Sequence, residues 1–109
     1  MVMSEDKYVQ VAVSCSSETE AKALIEYLLS HRLVACGQII NTMQSFYRWQ
    51  GQLAVAKECL LLLKTKESLF ERIEQEIMAQ HSYDVPEIIA TPLVAISKPY
   101  KKWIDEETI

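Results

Sequence analysis

Glycine, proline and cysteine are all scarce in this chain of 109 residues, which holds two, three and three of them. Half of the residues are hydrophobic, so the low glycine and proline content argues against a disordered or low-complexity polymer and for a buried core. Cys15, Cys36 and Cys59 are odd in number and widely spaced, which argues against a disulfide framework. Free cysteine usually packs as a small hydrophobe, and that is the reading for Cys36 and Cys59. Long apolar runs are missing too: the stretches at residues 60–63 and 88–90 are far too short to span a bilayer. Residues 1–7 lack the cationic end and apolar run of a signal peptide. The expected location is therefore cytoplasmic, with no membrane partner. Basic residues are outnumbered 11 to 15 by acidic ones, for a net charge of −4, and no basic cluster exceeds the pair Lys101 and Lys102. A nucleic-acid partner, which needs a basic patch to displace counterions, is excluded. Catalytic signatures are absent as well: there is no glycine-rich phosphate loop, no H-E-x-x-H and no supported Ser/His/Asp order. The chain reads as a protein without enzymatic activity.

What is present reads as one domain over residues 1–109, with a core at about 8–105. Val9, Val11 and Val13 alternate as in a strand. Ser17 to Glu20 has the S-x-x-E form of a capping box, and Ala21, Leu24, Ile25, Leu28 and Leu29 follow at helical spacing. That helix should end near His31 and Arg32, whose charge suits a C-terminus. Residues 33–40 read as the second strand. Residues 45–53 read as a hairpin turning at Gln50 and Gly51, because glycine tolerates the positive φ of a tight turn. The return strand runs to Thr65. A cap at residues 65–68 should precede a second helix carrying Leu69, Phe70, Ile73, Ile77 and Met78. Residues 88–96 read as the last strand, with Pro92 implying an edge or a bulge, and Ser97 caps a short final helix. The order β-α-β-β-α-β gives an α+β, ferredoxin-like antiparallel sheet with two helices on one face and a short C-terminal helix. Apolar residues lie on both faces of the third strand, so the second sheet face needs a cover, and packing between subunits is the simplest one.

Five segments carry a family resemblance. Leu33-Val34-Ala35-Cys36 resembles L-A-A-C, residues 45–51 resemble S-x-Y-x-W-x-G, and Glu58 through Thr65 resemble E-x-x-L-x-x-K-T. Residues 81–89 resemble H-P-Y-x-x-P-E-I-I, and Tyr100 to Trp103 match Y-x-x-W. In this order they resemble the CutA divalent-cation tolerance family. The resemblance implies a homotrimer, similar in shape to the PII signalling proteins, whose long hairpins complete neighbouring sheets. It implies a role in divalent-metal, notably copper, tolerance, with Cys15 and His81 at the positions proposed as metal ligands. Ser82 stands where the family has proline, which is expected to loosen His81. Gly37-Gln38 replaces a common Val-Asn.

Two uses of these residues stay open. In the first, Cys15 and His81 bind copper or another divalent metal ion, which folding does not require; thiolate plus imidazole suits a soft ion. The position of Cys15 before a helix start is expected to lower its thiol pKa, whereas a lone histidine is often only hydrogen-bonded. In the second, Lys64, Tyr83, Glu87 and Trp49 line a cleft between subunits that receives a small molecule or a protein partner. There, Pro86 and Glu87 alternatively just start the last strand, with Glu87 pairing to Lys64 or Arg48. Tyr47, Trp49 and Trp103 read as trimer-interface aromatics.

Overall fold

The alternating valines become β1 (Tyr8–Cys15) in the computed structural model, which describes residues 7–109. The expectation that residues 1–6 form no leader lies outside the described residues. Val9, Val11, Val13 and Cys15 are all buried on one side of the strand. Ser17 then caps α1 (Glu18–Ser30), its hydroxyl accepting the Glu20 N–H at 3.1 Å. Ala21, Leu24 and Leu28 are buried as the spacing predicts, but Leu29 is turned to solvent. Arg32, at φ 56° just past the helix, breaks its continuation. The guanidinium of Arg32 does not cap α1; it donates to the carbonyls of Glu106 and Glu107.

The second strand starts later than the sequence predicts. Residues 33–35 are buried and lead into β2 (Cys36–Trp49), which pairs with β3 (Gln52–Lys66) along nearly its whole length. Gln50 and Gly51 both take positive φ (51° and 79°), the requirement of a primed two-residue turn. One irregularity interrupts the ladder. Between the pairs Ile40–Leu60 and Met43–Glu58 the register shifts, and Thr42 there has φ 64°. Gly37 faces α1, and a Cβ added to it would stand 2.8 Å from Ile25 Cγ1. Its missing side chain lets the helix close onto the sheet.

The expected cap at residues 65–68 does not form. Thr65 points into the core and donates its hydroxyl to Leu33 O at 2.6 Å. The chain enters α2 (Phe70–Gln80) through a 3₁₀ turn, Glu67–Leu69, without a side-chain cap. Ile73 and Ile77 are buried, whereas Met78 is exposed. The last strand, β4 (Ile88–Pro92), is shorter than predicted because its partner runs out. Pro92 stands opposite Val9, Leu93 N–H reaches Tyr8 O at 2.9 Å, and β1 begins at Tyr8. Ser97 caps α3 (Lys98–Glu107) as predicted.

The sheet order is β2-β3-β1-β4, antiparallel throughout, with β4 on an edge where Pro92 costs no ladder bond. This is the ferredoxin-like arrangement. The buried side of β1, Leu61 and Leu63 form one core with Leu24, Leu28, Ile73 and Ile77 of the two helices. On the other sheet face, a small cluster of Tyr8, Ala35 and Ile104 anchors α3 at one end. The rest of that face carries Ile40 and Ile89, which are 50% and 54% exposed in the single chain.

Candidate metal centre

Three elements end at one place. Cys15 closes β1, Glu20 lies in the first turn of α1, and His81 follows the last residue of α2. Their candidate ligand atoms all lie within 4.8 Å of one another. The structure thus brings together the two residues singled out in the sequence and adds a third. Glu20 was legible only as the end of a capping box, which gave its carboxylate a structural task.

The state of the histidine follows from its neighbours. His81 Nε2 lies 2.7 Å from the carbonyl oxygen of Ser14, which can only accept, so Nε2 carries the hydrogen. Nδ1 accepts the N–H of Tyr83 at 3.0 Å and stands 3.9 Å from Glu20 Oε2. The imidazole side chain is fully buried. With Ser82 where the family has proline, the ring is held at both nitrogens. Ser82 N–H, which a proline would lack, donates to Glu20 Oε2 at 2.8 Å and ties the loop to α1.

Electrostatics separates the two ionisable partners of His81. Burial works against the Glu20 carboxylate, but four hydrogen bonds from the backbone and hydroxyls of Ser16 and Ser82 outweigh it and hold its carboxyl at about 2. Glu20 is therefore a fixed anion. Cys15 goes the opposite way from the sequence expectation: burial, followed by the charge of Glu20 and the neighbouring Cys59 and Glu58, pushes the thiol up to about 12. The helix start cannot offset the loss of solvent. A metal here would have to displace the thiol proton, as a coordinating thiol is deprotonated outright.

The residues of the predicted cleft do not converge within one chain. Lys64 donates to Gln38 Oε1 at 2.7 Å, and Tyr83 donates to Glu58 Oε2 at 2.9 Å. Glu87 accepts from the Ser14 hydroxyl at 3.1 Å; neither Lys64 nor Arg48 pairs with it. Trp49 sits at the hairpin tip, 55% exposed. Six strand residues, or about 20 Å, separate Lys64 from Glu58 along β3. Tyr47 and Trp103 are also partly exposed, and Trp103 leans on Tyr100 with ring centroids 5.3 Å apart. The buried carboxylate of Glu58 carried no sequence signal beyond its place in a motif.

The fold has known counterparts. The family model described as CutA1 divalent ion tolerance protein matches residues 9–107. The divalent-cation tolerance protein CutA of Thermus thermophilus is 37% identical over 98 residues, covering 90% of this chain and 95% of that protein. The chloroplastic CutA of Arabidopsis thaliana is 34% identical over 100 residues, but the chain spans only 55% of its length. Among solved structures, CutA1 from Oryza sativa superposes with a TM-score of 0.92 at 33% identity, covering 94% of each chain. The Thermus thermophilus structure gives 0.91 at 36% identity over 93% of this chain and 98% of that one. With that family match over almost all of the described sheet and helices, the chain belongs to the CutA1 divalent ion tolerance family.

Proposed function

We propose that the chain is a homotrimeric, non-enzymatic metal-tolerance protein of the cytoplasm that captures copper or another divalent metal ion through Cys15, Glu20 and His81. The observation that carries this reading is the donor set itself: a sulfur, a carboxylate oxygen and an imidazole nitrogen within 4.8 Å of one another. The set fits a metal. His81 donates Nε2–H to a backbone carbonyl, the partner that commonly orients a metal-binding imidazole and leaves its other nitrogen to the ion. Glu20 supplies a fixed negative charge. A bound ion would supply the positive charge that draws the proton from the Cys15 thiol.

Loading has two costs in this chain. Nδ1 must release the N–H of Tyr83, and a buried thiol must ionise. Capture is therefore weak and strengthens as pH rises, because the proton leaves on binding. Titration of the wild type, Cys15→Ala, Glu20→Ala and His81→Ala with copper(I) and zinc(II) tests the site. Equal affinity in all four would remove it.

The trimer is supported by the apolar residues left open on one sheet face and along the hairpin. Ile40, Ile89, Phe46, Leu53 and Trp49 are each at least half exposed in one chain, an arrangement that typically marks an interaction surface. A second reading follows from it: Lys64, Tyr83, Glu87 and Trp49 of neighbouring subunits form PII-like clefts that hold a small molecule or a protein partner. A thermal-shift screen of metabolites and anions distinguishes the readings, since a true ligand raises the melting temperature by mass action.

A further inference from the structure

Cys15 and Cys59 face each other across β1 and β3, as the last register pair before the hairpin leaves β1 behind. Both are free thiols, and both belong to the core under the helices. Directly opposed residues of an antiparallel pair keep their Cα atoms about 4.5–5.5 Å apart, inside the range of about 4.4–6.8 Å that a disulfide spans. In the reduced chain each sulfur is occupied elsewhere. Cys15 Sγ groups with Glu20 and His81, and Cys59 Sγ donates to Asn41 Oδ1 at 2.7 Å. A bond between them would ask the two side chains to turn toward each other, with the register of the strands unchanged.

We propose that hydrogen peroxide closes a reversible disulfide between Cys15 and Cys59, which withdraws Cys15 from the metal-binding set. The bond itself stands on the register; its effect on metal capture rests on the function proposed above. Cys59 is the entry point, being 6% exposed where Cys15 is fully enclosed. Its sulfur attacks one peroxide oxygen, the O–O bond breaks, and the products are a sulfenic acid and one water. Cys15 Sγ then attacks the sulfenic sulfur. The S–S bond forms, the S–O bond breaks, and the hydroxyl leaves with the Cys15 proton as a second water. The two thiols lose two electrons in all, and the peroxide gains them. Cys36 cannot take part, because it stands opposite Lys64, on the other sheet face. Oxidation also takes Cys59 from Asn41, whose amide is bonded to Glu18 beside the irregularity in β2. The root of the hairpin is thereby coupled to the redox state of the metal centre.

The test treats the reduced full chain with hydrogen peroxide, removes the oxidant, and maps peptides by mass spectrometry without reduction. Expected is a linked Cys15–Cys59 peptide in the wild type and in Cys36→Ser, and its absence from Cys59→Ser. Zinc(II), a redox-inert probe, should bind reduced wild type and reduced Cys59→Ser, be lost from the oxidised wild type, and return after treatment with dithiothreitol. A linkage through Cys36, or Cys15 oxidised to its sulfinic acid without any link, would overturn the disulfide. Equal zinc binding before and after closure would overturn the switch. A link that forms in a chain whose reduced state takes no zinc would uphold the disulfide and remove the metal function instead.

Discussion

Tyr83 donates its hydroxyl to Glu58 Oε2 at 2.9 Å, joining the loop after α2 to a buried carboxylate on β3. Burial and this bond raise the Tyr83 hydroxyl to about 12, so it remains a donor at any ordinary pH. Tyr83→Phe takes away the donor and leaves the carboxylate enclosed. The expected loss is about 1–3 kcal/mol of stability, the usual cost of orphaning a buried polar group. Urea unfolding of the two proteins checks it. Adding Glu58→Gln to Tyr83→Phe should return part of the loss, because a neutral amide is cheaper to bury than an anion.

Glu20 ties acid stability to the candidate metal centre. Its carboxyl is held at about 2 in the folded chain, against about 4.3 for an unperturbed glutamate. A lowered folded value means the unfolded chain binds the proton more readily, so the contribution is complete above about pH 4.3 and disappears as pH falls toward 2. Glu20→Gln should therefore show a shallower loss of stability over that window than the wild type. Thermal unfolding between pH 2 and pH 6 supplies the comparison, and parallel curves would contradict it.

Gly37→Ala places a methyl group 2.8 Å from Ile25 Cγ1 and 2.9 Å from its Cγ2. Both atoms sit close to the helix backbone and cannot swing far. Overpacking of this kind costs about 1–3 kcal/mol. Ile25→Ala in the same chain should recover much of it, since the two sites are in contact and their effects are not additive.

Trp49→Ala tests assembly. If the exposed aromatic tip of the hairpin seats on a neighbour, its truncation should weaken the trimer by about 2 kcal/mol or more, as for buried interface tryptophans. Sedimentation at low protein concentration reads the change. A trimer of unaltered stability would dissociate the hairpin tip from assembly.

The element order was legible because each strand and helix carried its own period, and the turn at Gln50 and Gly51 carried its own chemistry. Boundaries failed where tertiary partners decide. Pro92 ends β4 because β1 begins at Tyr8, and Thr65 spends its hydroxyl on Leu33 instead of capping α2. Leu29 and Met78 fit the helical spacing but lie at the rim of the helix faces that pack. In the candidate metal centre, Cys15 and His81 stood out by residue type and family resemblance. Glu20 did not, because its link to Ser82 spans 62 positions and no local pattern announces it. The thiol of Cys15 was misjudged for a related reason: its enclosure depends on elements far away in sequence, whereas the helix start beside it is visible locally.

The irregularity at Asn41 and Thr42 sets two residues of β2 against the single Cys59 of β3. Side chains alternate along a strand, so one surplus residue inverts the parity of everything beyond it. Odd-numbered Tyr47 and Trp49 consequently look out from the same surface as even-numbered Ile40. Excision of Thr42 would set Asn41 alone against Cys59 and leave every pair beyond it, from Met43–Glu58 to Trp49–Gln52, in place, so Tyr47 and Trp49 would keep their surface. The left-handed backbone of one threonine thus absorbs the surplus residue and lets the ladder resume beyond it without strain on the ribbon's tip.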